Sequence, residues 1–552
     1  MPFKAQSNTL DALPQFWQVW KNPIFHRYRQ SRLRLPSLIT GFLLYGGSSM
    51  FFYLISLGIT LTHAQQDNMV DTAIFPFALI VFLQLFILNF VGTGEVAAGM
   101  ARESIDGVLT YQRLTPLSPA TKIIGYLSGL PVRQFYHFLV TLPASILVIS
   151  SGHIPLHVWG PIYTVLLTST LMFYLLAMSV GLTMGKKFSA LISQGLVALL
   201  YFALPQLSNF GFVIFEYLTI RPTIFSAAQK LTDWRITETH SALFFTWEIS
   251  HTIYCIFIQG LLSWVFYSLL LRRWRNEEAH LLSKLQCITI TLLLHIIILG
   301  SIWANTANGS IFEIEIKGVS PAAMIAREAL STNKELIAAT ILSLYGIIGF
   351  ASAILLQYIY TPNKFYYLAG LRNPNRSRNF LKNILADSGT GFPTSLSIAI
   401  ITTIAWMIYA QHMQQSSTIL ALTSVDAWTA AKPLLLVVAM MPLLTHAIVL
   451  EHLGRQLTGI VAGFAWVLPL ATGLLLNAWS ILESFANFLY GFSPLAMNFS
   501  PGYVMASHTL SQHNQAFISG TKTGITLYFI IGIIFAILLM KRHKHFQTTK
   551  NV

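Results

Sequence analysis

Charge is what this chain has least of. Only 10% of its 552 residues are Asp, Glu, Lys or Arg, and 54% are hydrophobic, where about a quarter charged is usual for a soluble domain. An ordinary soluble fold is therefore excluded. Cysteine is scarcer still. Cys255 and Cys287 both lie in apolar context without metal-ligand spacing, which removes a disulfide framework and a zinc site and leaves two small core residues. Acids are few, 20 against 34 Lys and Arg, for a formal net charge of +14. In so apolar a chain that excess reads as basic inner loops, not as a nucleic-acid surface. The first 35 residues hold no apolar signal-peptide core or cleavage signature, so insertion is expected to use the first span itself. A phosphate-cradling loop is missing as well. The run from Gly181 to Lys187 has the wrong glycine spacing, and no hydroxyl follows either lysine, so ATP and Mg²⁺ chemistry is not expected in this chain. His153 and His157 are separated by Pro155, and His543 and His545 lie in a basic tail. No metal, cofactor or catalytic residue is assigned from these patterns.

What is present is a mean hydropathy of +0.61 and twelve apolar stretches, each near the roughly 20 residues that cross a hydrocarbon core. They fall at about 38–62, 72–94, 134–151, 158–184, 189–215, 248–271, 285–304, 335–360, 394–411, 431–450, 456–479 and 524–540. The fold class read from them is an all-α polytopic membrane protein. With both termini cytoplasmic, 26 of the 34 Lys and Arg lie in inner segments, while 12 of the 20 acids lie outside; that is the split the positive-inside rule asks for. Loop lengths repeat. A large inner loop follows the second span and another, 361–393, follows the eighth; long outer segments, 217–246 and 480–523, precede the sixth and twelfth spans. The chain is thus divided into a cytoplasmic amphipathic leading segment (1–37), a six-helix unit (38–284) and a second six-helix unit (285–552), a kind of pairing common among transporters.

The most polar interruption of the first half is 95–133, EVAAGMARESIDGVLTYQRLTPLSPATKIIGYLSGLPVR. Arg102, Glu103 and Asp106 belong to a helix-compatible run. Gly107 precedes a short segment ending at Leu114, and Thr115, Pro116, Leu117, Ser118 and Pro119 must break the helix. Ser118 then caps a new helix that starts with proline. A short helix, a fixed kink and a second helix returning to the bilayer are expected. This stretch resembles the cytoplasmic coupling segment of ABC transporter permeases of the type-2 exporter class: Ala101, Arg102, Glu103, Gly107, Leu109, Leu114, Thr115, Pro116, Leu117 and Ser118 stand where the family pattern has them, whereas Ile105, Asp106, Val108 and Thr110 do not. The pair Asn22-Pro23 with the basic run 27–34 is similar to the start of such permeases, and the join 271–284 to the end of their sixth span. The resemblance covers about the first 285 residues, and the second half only through topology. It implies the permease subunit of an exporter in a bacterial inner membrane, energised by a separate ABC ATPase that binds ATP and Mg²⁺ and docks on Arg102, Glu103, Gly107, Leu114, Thr115, Pro116, Leu117 and Ser118. A homodimer or a further permease subunit would accompany it.

Other readings stay open. The amphipathic pattern over 10–28 also suits a plain membrane-surface anchor, with Trp17 and Trp20 at the headgroups, basic residues facing anionic lipid and a bend at Pro23. The loop 361–393 is either a degenerate coupling segment or a topogenic basic loop. The outer segments 217–246 and 480–523 are an external gate or a static lid, and 305–334 adds a third, with a short helix over 322–330. A secondary transporter would need buried ionisable groups; Glu95, Glu216, Glu248, Glu451 and Glu483 fall near span ends, leaving His137, His295 and His446, each read first as a neutral, hydrogen-bonded packing residue. Gln84, Asn89, Gln194, Gln206, Asn209 and Gln259 line a path or tie helices together, the second being favoured. An enzyme or scaffold would draw on Glu313, Glu315, His412 and Asp426.

Overall fold

A computed structural model describes residues 14–62, 69–183, 186–232, 241–276, 279–307, 334–362, 385–415, 425–478, 482–505 and 512–548, together with 367 and 383. Leu10, Leu13, Glu313, Glu315, most of the loop 361–393, the short helix expected over 322–330, and the side chains of Asn209, Asp426, His543 and His545 lie outside the described residues. Among those described, twelve helices are long and apolar enough to cross a membrane. The chain is an all-α polytopic membrane protein.

The helices divide between two compact units. The first comprises Met1–Ser208, Val213–Ala242 and Glu248–Glu278, the second Asn209–Phe212, Leu243–Trp247 and Ala279–Val552. In the first unit a short helix α1 (Pro23–Arg32) leads into α2 (Leu35–Gly41) and α3 (Gly47–Thr62), joined by a π-helical turn over Phe42–Gly46. Then follow α4 (Met69–Leu85), a π-helical stretch Phe86–Gly92, α5 (Thr93–Ile105), α6 (Val108–Leu114), α7 (Pro119–Gly129), α8 (Val132–Ser151), α9 (Leu156–Thr183) and α10 (Lys186–Ala198). A second wide turn, Leu199–Ala203, runs into a 3-10 segment, and α11 (Ile214–Tyr217), α12 (Arg221–Thr232) and a two-stranded hairpin precede α13 (His251–Arg275).

Among the boundaries that differ from expectation, three have a clear local reason. The second span does not stop at 94 but continues to Ile105, because Glu95 is neutralised by two arginines and no helix breaker occurs before Gly107. The fifth gives way to the 3-10 segment Leu204–Phe210, where Pro205 and then Gly211, at φ 85°, interrupt the regular helix. The sixth begins at His251 because residues 248–250 belong to the hairpin. Pro23 does not bend a helix either: it is the first residue of α1, capped by the Asn22 side chain, where a missing amide hydrogen costs nothing.

α9 lies at the centre of the first unit, packed against α5, α10 and α13. The approach to α5 is close enough that a β-carbon on Gly181 would sit 2.6 Å from the Ala97 carbonyl oxygen. Polar side chains fasten the spans. Gln84 Nε2 donates to the Thr141 and Ser145 hydroxyls, Asn89 Nδ2 to those of Ser169 and Tyr201, and Thr168 donates to Gln259 Oε1. All three amides are fully buried, so tying helices together is what they do.

In the second unit the large aromatic side chains Tyr345, Trp406, Tyr409 and Trp428 are fully buried. His295 bridges the Tyr345 and Thr402 hydroxyls at 3.0 and 3.1 Å, and His446 Nδ1 lies 2.7 Å from Gln357 Oε1. Both are hydrogen-bonded packing residues. His137, in the first unit, differs: it is buried against Tyr45, at 4.5 Å between ring centroids, and neither ring nitrogen has a hydrogen-bond partner among the described residues. The segment 482–505 forms short helices, of which Glu483–Tyr490 packs along the last helix, Gln512–Thr548.

Candidate functional site

The elbow between α5 and α8 is built by its own sequence. α5 ends because Gly107 adopts φ +72°, a left-handed geometry that glycine enters without penalty. α6 lasts only seven residues, because Thr115, which precedes Pro116, is held extended at φ −72° and ψ 148°, as a residue before proline prefers. α7 begins with Ser118 Oγ accepting from the Thr121 amide at 3.1 Å, with Pro119 at its first position. The Lys122 ammonium donates back to the Thr115 carbonyl at 3.2 Å and so closes the linker on itself. Burial, then the nearby Arg113 charge, holds that ammonium below its ordinary pKa.

The inner face of the elbow is fixed to α1. Asn22 acts twice: its Oδ1 accepts from the Ile24 amide at 3.0 Å, and its Nδ2 donates to the Thr121 carbonyl at 2.7 Å. Three donors converge on Glu103: Arg27 Nη2 at 2.6 Å, Tyr28 Oη at 2.6 Å and Tyr126 Oη at 3.1 Å. Glu95 is held between Arg32 at 3.0 Å and Arg133 at 2.8 Å. Burial, and then the Glu103 carboxylate, push both tyrosine hydroxyls above their ordinary pKa. Burial alone would depress the Arg27 guanidinium, but its hydrogen bond to Glu103, together with the charge interactions with Tyr28, Glu103 and Tyr126, outweighs that and holds it above the usual range. Beneath lies an apolar cluster that includes Ile24, Val96, Met100, Leu109 and Ile123, with Tyr126 stacked on Trp274 at 5.6 Å.

The outer face is bare. Arg102, Gly107, Pro116 and Ser118 are exposed, Thr115 is half-buried and Leu117 packs partly against the cluster. Leu114 is 81% exposed, Tyr111 68% and Ile105 58%. Tyr111 and Leu114, three apart, share one side of α6. Comparison with family models, curated proteins and solved structures finds no match. The site therefore rests on its own geometry.

Of the residues singled out from the sequence, Glu103 is placed unlike its neighbour. Its side chain is only 14% exposed and is spent on internal partners, whereas Arg102 points outward. Arg27, its side chain still 42% exposed, and Arg32 are each paired with a carboxylate, while Trp17 and Trp20 are exposed. Sequence reading missed Asn22, Tyr28 and Tyr126 as fasteners, and Ile105 and Tyr111 as exposed apolar groups beside Leu114. Pattern alone could have found Tyr111, since it stands one turn before Leu114 in a helix that buries only Leu109.

The remaining positions carry less. His153 lies at a turn with φ 49°, and among the described residues no group of three His, Cys, Asp or Glu could hold a metal ion. Both cysteines are buried, and neither is in a disulfide among the described residues. Residues 184 and 185 of the glycine-lysine run lie outside the described residues, and Gly181 is a packing contact inside α9.

Proposed function

We propose that this chain is the permease subunit of an ATP-driven exporter of the ABC type-2 class, in a bacterial inner membrane. On this reading the chain carries two six-helix units of parallel topology, with both termini cytoplasmic. A separate ATPase docks on the outer face of the elbow, through Arg102, Tyr111 and Leu114, and supplies the ATP and Mg²⁺ chemistry. One observation carries this reading. An exposed segment bearing large apolar side chains is held from behind by the Glu103 carboxylate, which Arg27 and two buried tyrosines grip. Exposed apolar groups on a polar segment mark a protein contact, and rigid backing lets a push at the contact reach the spans instead of dissipating in a loop.

The test is co-purification with a soluble ATPase, bearing a phosphate-binding loop, encoded in the adjacent reading frame. Leu114→Asp and Tyr111→Ala should each reduce the captured ATPase about tenfold, a loss typical of truncating an exposed anchor at an interface, with the thermal transition of the permease unchanged. Undiminished capture by both variants would sink the docking assignment.

A gradient-driven secondary transporter is the second reading, favoured by one feature: His137 is buried in a span with both ring nitrogens unpartnered among the described residues. Substrate uptake into proteoliposomes that follows a proton gradient without any ATPase, and is lost in His137→Gln, would select it.

A further inference from the structure

The first unit contains an apolar cavity of about 270 Å³ that the elbow does not use. Phe86 and Phe90 of the second span form one wall, Val197 and Phe202 of the fifth another, and Ile220 and Arg221 the end nearest α12. Both spans widen to π geometry here, over Phe86–Gly92 and Leu199–Ala203. Such turns recur at functional sites because they push a helix wall outward. The two are pinned to each other. Asn89, in one, donates to the hydroxyl of Tyr201, in the other, at 3.0 Å, and accepts from Thr170 at 2.7 Å. The cavity is thus shaped by a satisfied, buried polar network and not by loose packing. One side is open, where Phe82 and Phe202, each on an apolar span, are exposed.

Arg221 is the one charged group in the lining. It lies over the Phe225 ring at 5.4 Å, and its Nε is 3.7 Å from Glu216 Oε1, outside hydrogen-bond length. Its two terminal nitrogens make no hydrogen bond among the described residues. An apolar chamber with a 40% exposed guanidinium at one end, ion-paired to Glu216 only through its Nε, matches a molecule with an apolar tail and a negative head. We propose that this cavity binds the alkyl chain of an anionic amphiphile whose headgroup pairs with Arg221. An apolar cavity of about 150 Å³ holds one benzene ring, so in proportion this one accommodates roughly ten carbons of chain. The site lies wholly within the first unit and needs no nucleotide, so it stands or falls apart from the ATPase reading.

The test uses the full chain in nanodiscs of neutral phosphatidylcholine, with three photoreactive probes: a diazirine-bearing palmitic acid, the matching palmityl alcohol, and a phosphatidylglycerol carrying the same chain. Labels are mapped by peptide mass spectrometry and are expected on 82–90, 197–202 and 220–225. The acid should label about fivefold more than the alcohol, the advantage of a partly exposed charge pair, and Arg221→Gln should erase that preference. Ala198→Phe, which fills the chamber, should cut labelling by all probes about tenfold. Labelling by the acid alone assigns the site to a free single-chain amphiphile, and comparable labelling by phosphatidylglycerol assigns it to a bilayer lipid; either supports the site. Equal labelling by acid and alcohol in the unaltered chain, or labels elsewhere in the sequence, would overturn it. Should Ala198→Phe fail to elute as a single species, competition by unlabelled palmitate against palmityl alcohol decides the same question.

Discussion

Arg102 and Glu103 are adjacent in the chain and opposite in situation. The arginine faces solvent beside Ile105 and the Tyr111–Leu114 side of α6; the glutamate faces inward and gathers Arg27, Tyr28 and Tyr126. The difference teaches that the elbow has two faces with separate duties. One holds the leading helix to the bundle, and the other is the face proposed above to meet a partner. A double substitution would confound the two, so the faces must be altered one at a time.

The largest effect is expected from Glu103→Ala. It leaves a guanidinium and two buried hydroxyls without their common acceptor, and should lower stability by about 3 kcal/mol. The readout is the thermal transition of the detergent-solubilised protein, followed by tryptophan fluorescence. A shift no larger than that of an exposed substitution would dissolve the distinction between the faces. Asn22→Ala should cost about 1–2 kcal/mol, since one side chain provides both the cap of α1 and its tie to Thr121. Hydrogen–deuterium exchange should localise the loosening to α1 and α7.

Alkali offers a third way to part the faces. Tyr28 and Tyr126 have hydroxyl pKa values raised in the folded chain above the ordinary 10.0. A raised folded value means that their contribution is complete below pH 10 and is lost as pH rises through that window. Exchange protection of α1 should therefore hold to about pH 10 and fall above it, and Tyr28→Phe together with Tyr126→Phe should flatten that dependence. Least of all should follow from Arg102→Ala, where stability is expected to move by less than about 0.5 kcal/mol. ATPase capture should nonetheless fall, which sharpens the contrast with Glu103.

Much of the architecture was legible because lipid imposes a simple rule on sequence. A run of about twenty apolar residues becomes a helix, and the twelve runs read from hydropathy overlap the twelve apolar helices of the structure. The turn chemistry of the elbow was legible for a similar reason: Gly107, Pro116, Ser118 and Pro119 act through their own backbones. The attachment of the elbow was not. Glu103 meets Tyr28 across 75 positions and Asn22 meets Thr121 across 99, and no local pattern encodes a contact of that range. Glu95 misled because a lone acid reads as a span end, while its two arginine partners, Arg32 and Arg133, are distant in the chain.

A wide turn contains one residue more than the regular helix would, and each residue advances a helix by about 100°. The stretch Phe86–Gly92 absorbs that extra residue, so removing one residue there would restore regular winding and leave Glu95 and Glu103 still facing their arginines. Removing one from the regular helix after Gly92, at Thr93 or Gly94, would instead swing both carboxylates by about 100°. The chamber wall at Phe86 and Phe90 and the grip on the leading helix are thus carried by one rod.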